Sequence, residues 1–251
     1  MTLTDLPGLY ELVCLEKADC VGREAARRAA AGADEGTLLW CAEQSAGRAP
    51  DGTFGPRPPG NLYCALVLRP DYPNIQAFQL GHVATLAAGT AIAAVLEPMT
   101  GLRYAWPHEI LINDLPAASV RLYAPATPDD PLPWLIVELM VIVDEYPPDR
   151  DFPSFNGIRA SGTEGVAVAT VLEGYARHFL RLINQWAEHG FAPIQRAWQQ
   201  RADGLDQAIE VDLPSLRLTG TAHDLDDCGR LVVERADGVR QTVGPDAYLL
   251  R

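Results

Sequence analysis

Apolar residues recur along the chain at spacings that predict many short strands and a few helices. Alternation at Leu9, Leu12, Val13 and Leu15 predicts a first strand within residues 1–15. The Ala/Arg-rich run 23–31 predicts a helix stopped by Gly32. Residues 37–42 (TLLWCA) and 61–68 (NLYCALVL) read as buried strands, the second ended by Arg69-Pro70. Between them, residues 43–60 are dense in Gly and Pro and predict a long loop of the kind that carries function. Residues 75–96 predict one apolar helix. Three short strands follow at 102–106, 109–112 and 119–123, with Asn113-Asp114 at a turn. The run 134–144 (WLIVELMVIVD) is nearly continuous in apolar residues and predicts a central strand, covered by helices on one face. Thr163 opens a long amphipathic helix whose stripe runs through Leu172, Tyr175, Phe179 and Trp186 to Gly190. A second helix fits 191–202. From about Gln207 the pattern changes to brief strands, with a hairpin turn at Asp237-Gly238.

This order predicts an α+β fold in two parts. Residues 1–206 form a mixed β-sheet with packed helices, and residues 207–251 form a small C-terminal β-barrel of the SH3 type. The 251 residues are 48% hydrophobic, enough for one substantial core and an appendage. No apolar run reaches the roughly 18–20 residues of a membrane span. The N-terminus has neither a basic start nor an apolar signal core, so a cytoplasmic protein is expected. Five cysteines without a CxxC pair predict reduced, buried thiols and no zinc site. A formal net charge of −13 argues against a nucleic-acid partner, which demands a basic footprint. Lys17 is the only lysine, and every other fixed side-chain cation is an arginine.

Two segments carry the most specific pattern. One is Glu43-Gln44-Ser45-Ala46-Gly47-Arg48, followed after a loop by Pro59-Gly60-Asn61-Leu62-Tyr63 and, further on, Leu68-Arg69-Pro70. The other is Arg103-Tyr104-Ala105-Trp106-Pro107-His108-Glu109. Upstream lies Asp19-Cys20-Val21-Gly22, then Gly32-Ala33-Asp34-Glu35-Gly36-Thr37. Downstream lie Leu218-Thr219-Gly220-Thr221 and Gly229-Arg230-Leu231. In this order they resemble the signature segments of the biotin/lipoate protein ligase superfamily, biotin protein ligases in particular. No helix-turn-helix segment precedes them, so the repressor function of some members is not implied.

The resemblance implies a two-step reaction. A small carboxylic acid such as biotin or lipoate attacks the α-phosphate of ATP, with Mg as the nucleotide's companion ion. The acyl group then passes to a lysine of a biotinyl or lipoyl carrier domain. It places substrate-binding residues at Asp19, Gln44, Gly47, Arg48, Asn61, Tyr63 and Trp106, with weaker cases for His108 and Glu109. The residues themselves predict no resident metal and no membrane partner. The family's lysine before Trp-Pro falls at Ala105 here, and its arginine-rich loop reads Gly47-Arg48-Ala49-Pro50-Asp51. Arg48 and Arg103 are the candidates to supply the missing charge, with Arg57 behind them. Arg103 and Ala105 share a strand face at a two-residue spacing. Three readings stay open: a divergent ligase, an ATP-independent acyltransferase, or a scaffold that has lost its chemistry and binds a small molecule or carrier domain.

Overall fold

The computed structural model describes residues 5–48, 54–125, 130–144, 155–213 and 216–244. Its centre is a pair of antiparallel strands, β4 (Leu62–Leu68) and β8 (Leu135–Val141), buried at every position. Outside β4 lie β2 (Thr37–Arg48) and then β1 (Glu11–Ala18), the latter joined in parallel. Beyond β8 come β7 (Leu115–Tyr123), β6 (Glu109–Ile112) and β5 (Leu102–Ala105), all antiparallel. The sheet order is therefore β1-β2-β4-β8-β7-β6-β5, with β3 (Phe54–Arg57) added to β2.

Side chains alternate between the two faces, so each strand feeds two cores. Leu62, Cys64 and Leu66 join Val137, Leu139 and Val141 beneath α3 (Leu80–Ala93) and α4 (Val168–His189). Helix α3 is buried on nearly all sides because it lies between the sheet and α4. On the opposite face Tyr63, Ala65, Val67, Ile136 and Met140 meet α1 (Val21–Ala30). The central strands are thus covered on both faces rather than on one, because the short helix α1 folds back over β4 and β8.

Three other expectations change. Much of the stretch 43–60 is strand: β2 runs on to Arg48, and β3 returns beside it with Gln44 opposite Arg57. The helix expected over 75–96 is two, α2 (Asn74–Ala77) and α3, separated near Gln79. The Gln79 amide reaches away from the helix, donating to the Asp227 carbonyl (3.1 Å) and accepting from Trp186 Nε1 (2.8 Å). The long helix begins at Val168, not at Thr163, since Gly162 and Gly165 take positive φ and Thr163 Oγ1 accepts the Glu97 amide instead of capping.

The C-terminal strands β9 (Gln207–Leu213), β10 (Leu216–Leu225), β11 (Leu231–Glu234) and β12 (Arg240–Val243) form a separate antiparallel sheet in the order β12-β11-β10-β9, consistent with the SH3-like module. The sequence also predicts a brief strand at 248–250 (YLL), which lies outside the described residues. This sheet packs on α5 (Ala192–Gln199) and α3. Gln195 Nε2 donates to the Leu225 carbonyl at 2.5 Å, and His82 Nε2 bonds the Gly229 carbonyl at 2.9 Å. Leu218, Leu225, Leu231 and Val233 belong to the same core as α3 and α4. Among the described residues no helix is long and apolar enough to cross a membrane.

Candidate functional site

The turn from β1 into α1 delivers the helix N-terminus onto the sheet. Cys20 stands at the cap position in extended geometry and offers no side-chain cap. The first-turn amides find acceptors elsewhere. Val21 N–H donates to Gln44 Oε1 on β2 at 2.6 Å, and Gly22 N–H donates to Glu138 Oε1 on β8 at 3.3 Å. Gly22 is required here because a Cβ would run into the Tyr123 ring. The Tyr123 hydroxyl donates to Glu138 Oε2 at 2.7 Å, and Cys20 Sγ lies 3.4 Å from that hydroxyl.

Glu138 is the buried carboxyl of this cluster. Desolvation pushes its pKa up, while hydrogen bonds from Tyr123, the Gly22 amide and Cys20, and the charge of Arg121, pull it back. Burial and then Glu138 push the Cys20 thiol up, so it is a poor source of thiolate.

A second group lies where β2 meets β3. Arg57 is only 4% exposed, and its aliphatic stem packs on Gly47, where a Cβ would come within 2.5 Å of Arg57 Cγ and 2.8 Å of Gln44 Nε2. Gly47 therefore lets Gln44 and Arg57 close on each other. Tyr63, fully buried, donates its hydroxyl to the Pro58 carbonyl at 2.9 Å and ties down the return segment. The backbone of Arg48 is at the end of β2, opposite Phe54; residues 49–53 lie outside the described residues.

The third group lines β5 to β7. Ala105 is half-buried and stands opposite Glu109, which stands opposite Ser119. Two residues along β7 on the same face, Arg121 donates from one Nη to Glu109 Oε1 at 2.5 Å and from the other to the Val120 carbonyl at 3.0 Å. Arg121 also stands directly opposite Glu138 on β8. The three groups thus share one sheet face, with α1 over its middle.

The sequence candidates separate on this frame. Gln44, Gly47, Tyr63, Ala105 and Glu109 gather on the α1 side of the sheet, with half-buried Trp106 at the end of β5. Asp19 is exposed and paired to Arg27 at 2.9 Å; the hydrogen bond from the Cys20 amide, and then the charges of Arg27 and Arg23, hold its pKa down. Asn61 works as a clip: its Oδ1 accepts the amides of Val143 (2.9 Å) and Asp144 (3.1 Å). Arg103 extends to the rim, where it pairs with Asp203 (3.0 Å) and Asp114 (3.5 Å). His108 is not solvated: it is 3% exposed, packs against Gly81 and meets His82 edge-on at 4.8 Å between ring centroids. Burial, then His82 and Arg121, hold its pKa well below the usual value. Burial lowers His82 to about 4.

Sequence reading missed Arg121, Tyr123, Glu138 and Cys20. The first and third leave a trace, since each is the lone charge in an otherwise apolar strand, and a charge at a buried position needs a partner. Nothing in the sequence marks which partner it finds. Among the described residues no group of three or more His, Cys, Asp or Glu side chains is placed to hold a metal ion.

A mixed sheet flanked by helices, carrying a helix N-terminus over one face and a small antiparallel module behind, defines the biotin-ligase type of fold. The chain belongs to the Biotin/lipoate A/B protein ligase family, whose pattern it matches over residues 6–200. It is 27% identical over 225 residues to the bifunctional ligase/repressor BirA of Bacillus subtilis, covering 86% of this chain and 67% of that protein. It is 30% identical over 209 residues to the biotin–[acetyl-CoA-carboxylase] ligase of Paracoccus denitrificans, covering 80% and 85%. In fold it is similar to a biotin protein ligase-like protein from Silicibacter sp. TM1040, with a TM-score of 0.83 at 23% identity over the full length of both chains. It is also similar to the Aquifex aeolicus biotin protein ligase in complex with biotin and ATP, with a TM-score of 0.77 at 18% identity over 93% and 95% of the chains.

Proposed function

We propose that the protein binds a small carboxylic acid of the biotin or lipoate type on the sheet face beneath α1, with ATP and Mg, and transfers the acyl group to a lysine of a carrier domain in the cytoplasm. The observation that carries this reading is the placement of Gln44, Gly47 and Arg57 beside the N-terminus of α1, with Arg121 on the same face of the sheet. Gln44, held at the N-terminus of α1, offers a polar contact to the acid's far end. Trp106 walls the acyl chain, and Tyr63 supports the site from behind by holding the return segment at Pro58. The end of β2 at Arg48 and the return strand β3 stand beside Gln44, on the side where a nucleotide would close the site. Asp19, Asn61, His108 and Glu109 then act around these groups, Asn61 and His108 through packing and hydrogen bonds rather than through the ligand. Fixed cations beside a reacting carboxylate and phosphate favour adenylate formation electrostatically.

The test is exchange of labelled pyrophosphate into ATP, with biotin, lipoate and octanoate offered in turn to folded protein. Exchange with any one names the acid. Silence with all three removes adenylation of these acids.

One observation favours the second reading, a binding protein without the chemistry. Position 105 offers only a methyl group, and the α1 amides of Val21 and Gly22 are already served by Gln44 and Glu138. An ATP-independent acyltransferase, which takes a preactivated acyl group, meets the same objection at Ala105. Direct binding of acid without exchange would select the binding protein.

A further inference from the structure

Arg121 is a costly residue to place in a sheet. Its side chain is 13% exposed, and a buried guanidinium persists only among anions or strong acceptors. Glu109 and the register partner Glu138 supply that environment. Ala105 stands opposite Glu109, with Cβ atoms of such pairs about 5 Å apart. A small side chain therefore lies next to the Glu109–Arg121 pair, on the face that the proposed ligand uses. A ligand group resting on the Ala105 methyl comes within reach of the guanidinium across Glu109. Of the arginines on this face, Arg57 stands on β3 opposite Gln44 and near Gly47, at the other side of the central pair β4–β8. Arg103, on Ala105's own strand, is drawn off to Asp203 and Asp114.

We propose that Arg121 is the specificity-determining cation of the site: it receives the ligand's carboxylate, and Glu109 is the internal carboxylate that shares Arg121 with it. This rests on the acid-binding reading above and deepens it. The guanidinium fork suits a carboxylate in geometry as well as charge. Glu109 both holds the fork in place and competes for it. Removing Arg121 must then cost acids more than their uncharged counterparts, and neutralising Glu109 must favour acids.

The experiment compares each acid with its alcohol: biotin with biotinol, lipoate with lipoyl alcohol, octanoate with octanol. Binding is measured by calorimetry for wild type, Arg121→Gln, Arg121→Lys and Glu109→Gln. Expected is a loss of about tenfold or more in affinity for the acid in Arg121→Gln, partial recovery in Arg121→Lys, and alcohol affinity changed by less than about twofold. Glu109→Gln is expected to tighten the acid several-fold, and less so at high salt. Equal losses for acid and alcohol would show a merely structural arginine and overturn the proposal, as would an unchanged acid affinity in Arg121→Gln. If Arg121→Gln does not fold, Glu109→Gln decides alone: no gain for the acid over the alcohol overturns the proposal. Wild type binding alcohols as tightly as acids removes the charge argument but keeps the pocket. Wild type binding neither member of any pair removes the acid-binding reading itself.

Discussion

Single residues decide how tightly the back of the site is built. Gly81 on α3 lies under the His108 ring, and a methyl group there would occupy space the imidazole already fills. Gly81→Ala is expected to lose on the order of 1–3 kcal/mol in urea unfolding, and His108→Ala in the same chain to recover part of it. The neighbouring His82 gives the protein an acid weakness. Its folded pKa is about 4, against about 6.5 when unfolded, so between these values the unfolded chain binds the proton and the folded one does not. Its contribution is complete above about pH 6.5 and is lost as pH falls toward 4, with about 2 kcal/mol gone by pH 5. His108, depressed in the same direction, adds to the slope. Unfolding midpoints measured from pH 7.5 to 5 should fall less steeply in His82→Gln, which keeps a donor for the Gly229 carbonyl. An unchanged slope would assign the acid sensitivity to other groups. At this scale the sequence was informative about what a residue is and poor about what it touches. His108 reads as an ordinary polar residue after Trp-Pro, and only the meeting of α3 with β6 makes it a buried ring.

At the scale of elements, α1 is the piece the site depends on. It has no cap of its own, and its first amides are held by residues 23 and 116 positions away, Gln44 and Glu138. Gln44→Ala leaves the buried Val21 amide without its acceptor, at a cost of about 1–3 kcal/mol. Hydrogen exchange should locate that loss in α1 first, with β4 and β8 unaffected. Equal acceleration across β4 would mean that Gln44 supports the sheet and not the helix. The helix itself was legible from its Ala/Arg run and Gly32, and so were the strands β4, β6 and β8 from their apolar character. The hairpin of β2 with β3 was not. Gly and Pro at 47–60 signal a loop, yet Gly47 and Gly55 stand opposite each other in a ladder closed by Gln44 and Arg57. Side chains distant in sequence overrode the local preference for a turn. The start of α4 was misplaced for the opposite reason: a local cap signal at Thr163 is spent on Glu97.

For the molecule as a whole, the boundary near residue 206 marks a change of pattern but not a break in the core. Leu218, Leu225, Leu231 and Val233 are buried with α3, α4 and α5, and His82 and Gln79 bond backbone carbonyls of the C-terminal turn. A chain ending at residue 206 is expected to expose that apolar surface and to bind a hydrophobic dye even in buffer. The full chain should unfold in one transition by both near- and far-ultraviolet circular dichroism. Two separate transitions would instead make the two parts independent units. The family and the α+β architecture were legible because ordered motifs run through most of the chain. The sharing of one core was not, since no sequence pattern states which apolar face meets which.

The two ends of the large sheet are finished differently. At β5, the Tyr104 amide donates to the Arg201 carbonyl (2.8 Å) and its carbonyl accepts from Asp203 (2.7 Å), so the segment after α5 seals that border. At β1, among the described residues, no strand lies outside the parallel pairing with β2. Among the described residues the large sheet thus has one sealed and one open border and can be extended from a single side. Association through backbone pairing of this sheet would therefore end once two such open borders meet, giving pairs and not fibres.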